Sequence, residues 1–151
     1  MRTARILALA ALIATLAVPA LAAANSVKIK GDIKKDGYLT INFDWNVDTR
    51  DYPGKDRGQV KKAVHQEMYD AMMPVLQSKT KGMNLSYEKC NFTVLADNAN
   101  LKQERSDGSK IYDVRTTVRF NAPYAEEKPS VADMSPEQKT NVRGNWQREF
   151  W

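Results

Sequence analysis

Residues 38–47 read Y-L-T-I-N-F-D-W-N-V. Leu39, Ile41, Phe43, Trp45 and Val47 alternate there with the polar Thr40, Asn42, Asp44 and Asn46. Successive side chains of a strand point to opposite faces, so the alternation gives one apolar face and one wet face. Wound as a helix, the same five apolar residues would scatter around the whole circumference. The stretch therefore predicts a half-buried strand of an antiparallel sheet. A strand of this kind requires a second layer against its dry face.

The flanking sequence supplies both the rest of the sheet and the cover. Val27 and Ile29 alternate with Lys28 and Lys30, a short first strand whose lysines would guard a sheet edge. Asp36-Gly37 offers the left-handed backbone of a tight hairpin turn into the second strand. A helix is predicted over residues 59–79. Val60, Val64, Met68, Ala71, Met72 and Val75 recur at three- and four-residue steps, which gather on one side at ~100° per residue. Gly82 suits a left-handed stop, and Pro74 should kink the helix or split it in two.

A third strand is expected over residues 83–96. Leu85 and Tyr87 are apolar at odd positions and Cys90, Phe92 and Val94 at even ones, so a β-bulge at Glu88-Lys89 would restore a common face. Residues 97–110 are polar, contain Asp107-Gly108 and read as a long exposed hairpin loop. In the fourth strand Tyr112, Val114, Val118 and Phe120 alternate with Asp113, Arg115, Thr117 and Arg119. Residues 121–133 carry two prolines and read as a linker. Ser135-Pro136-Glu137-Gln138 then combines a capping serine, a proline at the first helical position and a glutamine three residues after the cap. Val142, Trp146 and Phe150 follow at four-residue steps. The expected fold is α+β: a small antiparallel four-stranded sheet in the order β-β-α-β-β, covered by one long helix, plus a C-terminal helix. Residues 25–121 form the core domain, and residues 122–151 the linker and last helix.

Residues 1–24 stand apart. Arg2 and Arg5 precede an apolar run from Ile6 to Val18, followed by Pro19 and small residues, the three-part plan of a secretory signal peptide. Cleavage after Ala22 or after Ala24 satisfies the small-residue rule. The run is shorter than the ~20 residues a spanning helix needs, and no later apolar run is longer. The alanine-rich style is that of a bacterial export signal, which makes the expected compartment periplasmic or extracellular. This segment holds two arginines and no acid, so 21 Lys+Arg face 18 Asp+Glu in the remainder, a net charge of +3. That mild excess does not call for nucleic acid. Cys90 is the single cysteine, so no internal disulfide forms, and its apolar neighbours read as those of a small buried hydrophobe rather than a reactive thiol.

The chemical inventory is thin. His65 is the sole histidine and reads as a boundary residue of the long helix; H-E-x-x-H, P-loop, dinucleotide, G-x-S-x-G and EF-hand patterns are absent. No catalytic residue, cofactor or metal ligand is assigned. Asn84-Leu85-Ser86 and Asn91-Phe92-Thr93 match glycosylation sequons by chance in a bacterial chain. Two surfaces are candidates for partner binding. Lys28, Lys30, Arg115 and Arg119 fall on the wet face of the sheet and could meet an anionic envelope component, although Asp44 and Asp113 interleave with them. Trp146, Phe150 and Trp151 read first as a packing stripe across the sheet and second as aromatic anchors for an envelope protein. The expectation is an exported, soluble, non-catalytic binding or envelope-accessory protein. A secreted inhibitor or immunity protein acting through residues 48–58 or 97–110 is the alternative, and a small carboxylate hydrolase the second.

Overall fold

The computed structural model describes residues 25–124 and 134–150. Residues 1–24, on which the expected signal segment falls, residues 125–133 of the expected linker and Trp151 lie outside the described residues.

Four strands form one antiparallel sheet: β1 (Ser26–Lys30), β2 (Tyr38–Asp48), β3 (Asn91–Glu104) and β4 (Lys110–Asn121), in the spatial order β1-β2-β4-β3. The helices are α1 (Ile33–Asp36), α2 (Arg57–Thr80) and α3 (Pro136–Phe150). The fold is α+β. In β2 the five alternating apolar residues are all buried. β4 continues the same dry surface with Val114, Thr116, Val118 and Phe120.

Two helices share this face. α2 runs diagonally, its first half beside Val114 and Tyr112 of β4 and its second half beside Ile29 of β1. α3 packs beside it against β3. Trp146 is 0% exposed, with ring centroids 5.8 Å from Phe43, 5.2 Å from Phe92 and 5.7 Å from Tyr69. The core therefore draws on residues 25–121 and on the last helix together. The start of α3 is the capping box its sequence spells out: Gln138 N donates to Ser135 Oγ at 3.2 Å, and Ser135 N to Gln138 Oε1 at 2.7 Å. α2 opens on the same device, with Asp56 as the cap and Gln59 as its partner.

Several local expectations are corrected. β1 and β2 do pair as a hairpin, but the link between them is a helical turn, not a tight turn at Asp36-Gly37. Asp32 caps it, Gly37 at φ 78° ends it, and the winding carries Ile33 into the core. Of the kink or split expected at Pro74, the split does not occur: α2 is continuous from Arg57 to Thr80. Its buried face is broader than one stripe, because sheet and α3 meet it on two sides: His65, Tyr69, Met73 and Leu76 are buried with Val64, Met68 and Met72, while Val75 is exposed at the rim.

The largest correction concerns the third strand. Residues 83–90 are not a strand, and no bulge forms at Glu88-Lys89; they make a loop held by a bridge between Leu85 and Tyr124, with Leu85, Tyr87 and Cys90 turned inward. β3 instead runs through Glu104, so most of the expected loop over residues 97–110 is strand. The turn itself is short, closed by Arg105 N donating to Ser109 O at 2.8 Å. Polar composition misled here because β3 is an edge strand reaching past the helices, where little covers it. Leu95 is 49% and Leu101 51% exposed. The register with β4 slips between Val94 and Ala96 and again between Leu101 and Gln103. The first slip leaves Leu95 as an extra residue. Before it Phe92 and Val94 face the helices; after it Asp97, Ala99 and Leu101 do, opposite Thr116, Val114 and Tyr112.

Candidate functional site

The bulge at Leu95 places one carboxylate on an otherwise dry surface. Asp97 Oδ1 accepts a hydrogen bond of 2.8 Å from the Thr116 hydroxyl, which is itself buried. Its other oxygen lies 3.6 Å from His65 Nε2 and 3.8 Å from Lys61 Nζ. The first distance is long for a hydrogen bond. His65 is 2% exposed and its ring sits 4.1 Å from that of Phe150. Its Nδ1 is buried without a hydrogen-bond partner among the described residues. Asp97 is held below the ordinary carboxylate range by His65 first, then by Thr116 and Lys61, against the opposing pull of its partial burial.

Asp97, His65 and Lys61 line a cleft of about 230 Å³ between the first turns of α2 and the strands β2, β3 and β4. Val47, Val64 and Val114 are buried along it, Val60 and Tyr112 are half-buried, and Arg57, Lys61 and Ala99 stand at its exposed rim. Arg57, Lys61 and His65 share one face of α2 through their four-residue spacing. Lys61 is matched by Asp97; Arg57 has no ion-pair partner among the described residues. An apolar groove with a few convergent polar groups is the usual form of a small-ligand site.

Sheet register also brings the expected basic residues together. Lys28 lies across from Asn42 and that residue from Thr117; Lys30 follows Thr40 and Arg119 in the same way, and Asp44 is followed by Arg115. All four cations thus share the open face. Arg115 Nε is 3.9 Å from Asp44 and 3.5 Å from Asp113, and the Arg119 guanidinium lies 4.3 Å above the Tyr38 ring. Lys28 and Lys30 make no ion pair among the described residues. Of the aromatic candidates, Trp146 is in the core, Phe150 is half-buried against His65, and Trp151 is outside the described residues. Trp146 is thus a packing residue and offers no surface to a partner.

Sequence reasoning missed Asp97, Lys61, Arg57 and Thr116. The four-residue spacing of Arg57, Lys61 and His65 was a usable signal. Nothing local marked Asp97, because its orientation depends on the bulge. Among the described residues no group of three or more His, Cys, Asp or Glu is placed to hold a metal ion, and no helix is long and apolar enough to cross a membrane. Cys90 is buried, accepts a 3.2 Å contact from Asn145 Nδ2 on its sulfur, and burial raises its thiol pKa. Comparison with protein-family models, with curated proteins and with solved structures finds no match.

Proposed function

We propose that the protein is an exported, non-catalytic binding protein whose ligand site is the cleft between α2 and β3–β4. The observation that carries this reading is the cleft itself: valines form its walls, and the one carboxylate that lines it is already matched by Thr116, His65 and Lys61. A two-carboxylate hydrolase needs a second acid across from the first. Asp97 is the cleft's single acidic residue, which weighs against the hydrolase alternative. For the inhibitor alternative, residues 97–104 are strand, which leaves the turn at residues 105–109 of the second loop.

Two measurements test the proposal. In a bacterial host the protein should be recovered outside the cytoplasm, with an intact mass beginning at residue 23 or 25; a full-length chain retained in the cytoplasm opposes export. In a ¹⁵N–¹H titration with small amphiphiles, amide shifts should concentrate at residues 57–65, 97–99 and 112–114. Ala99→Trp should fill the exposed rim and abolish them without lowering the melting temperature. Shifts on other faces, or none, refute the cleft.

Lys28 and Lys30, side by side and unmatched on the open face, favour a second reading in which that face meets an anionic envelope partner. Charge reversal at both should then abolish retention on anionic vesicles while leaving the cleft titration unchanged.

A further inference from the structure

The geometry points to a small monoanion with an apolar body, such as a medium-chain carboxylate, as the ligand of this cleft. The assignment rests on the proposed cleft reading and goes beyond it in naming the ligand's charge and size.

The charges around the cleft decide the sign. Two of its residues carry positive charge, Arg57 and Lys61, against one acid. That acid is saturated: one oxygen takes the Thr116 hydroxyl, and the other faces both Lys61 and His65. A cationic ligand would have to displace these contacts and would still meet Arg57. An anionic head at the rim needs no displacement, because Arg57 makes no ion pair among the described residues whereas Lys61 is already matched by Asp97. Arginine offers a planar fork of donors fitted to a carboxylate, and such charge-assisted pairs are the strong ones.

The walls decide the rest. Val47, Val60, Val64, Ala99 and Val114 offer only hydrocarbon, so the body of the ligand must be apolar. An apolar cavity of ~150 Å³ takes one benzene. By that measure the volume of about 230 Å³ suits roughly nine heavy atoms, enough for the hydrocarbon chain of octanoate with its carboxylate at the rim.

The test titrates the full protein with octanoate, 1-octanol and octylamine, each below the concentration at which it self-associates, and follows the amides of α2, β3 and β4. Octanoate should bind at least tenfold more tightly than 1-octanol, and octylamine most weakly. Arg57→Gln should bring octanoate down to the affinity of 1-octanol, while 1-octanol binding and the melting temperature stay unchanged. Equal binding of the acid and the alcohol, preference for the amine, or an unaffected Arg57→Gln variant overturns the anion assignment and leaves the cleft standing. If none of the three perturbs the cleft amides, both the ligand class and the cleft reading fall.

Discussion

Replacing Trp146 with alanine tests how much of the fold hangs on the last helix. The indole is 0% exposed and meets Phe43, Phe92, Tyr69 and Phe150 at centroid distances of 4.4–5.8 Å. Truncation gives up about 150–200 Å² of apolar burial, or about 4–5 kcal/mol at ~25 cal/mol per Å². Removing a large buried aromatic ordinarily costs about 3–5 kcal/mol, the residual cavity included. One effect runs the other way. Trp146 Nε1 is buried without a hydrogen-bond partner among the described residues, and deleting such a donor recovers about 1 kcal/mol or more. The net expectation is about 3–4 kcal/mol, a large share of the ~5–15 kcal/mol that holds a domain of this size together. At ~3–5 °C per kcal/mol the melting temperature should fall by about 10–20 °C. Calorimetry or circular dichroism reads this directly. Trp146→Phe keeps a ring in place and removes the orphan N–H, so it should stay within about 1–2 kcal/mol of the parent. A melt for the alanine variant within ~3 °C of the parent, or equal losses for alanine and phenylalanine, would refute this account of the core.

Two further outcomes follow from the ion pairs and the edge strand. Arg105 grips Asp48 with bonds of 2.9 and 2.7 Å and holds its carboxyl at about 2. A depressed carboxylate stabilises above its unfolded pKa of ~3.9 and loses that contribution as pH falls through the folded value. The melting temperature should therefore drop as pH is lowered from about 4 to about 2, less steeply in Asp48→Asn, with the remaining slope coming in part from Asp97; superimposable profiles of parent and variant would contradict it. Deleting Leu95 should be tolerated, with a melting change under ~3 °C. The extra residue disappears, Ala96 still pairs with Thr117 and Asp97 with Thr116. A loss comparable to that of a core truncation would mean that the bulge itself is required.

The sequence already determined much of this protein, because a period of two or four residues is a local property. The alternation in β2 and β4 set which face of the sheet is dry, the four-residue steps of Val142, Trp146 and Phe150 set the inner side of α3, and Ser135 with Gln138 set where that helix begins. The chain's neighbours decided the rest. Whether residues 97–104 are loop or strand depends on β4 lying alongside to take their hydrogen bonds, and their polarity carries no trace of it. The winding of residues 33–36 follows from the room the core has for Ile33. The candidate site follows the same logic. His65, Lys61 and Arg57 could be placed on one helix face from spacing alone, but Asp97 joins them only because one extra residue in an edge strand reverses the alternation before it. A half-turn of backbone at Leu95 separates a carboxylate on the open face from one set beside a buried histidine, and only the paired strand fixes which occurs.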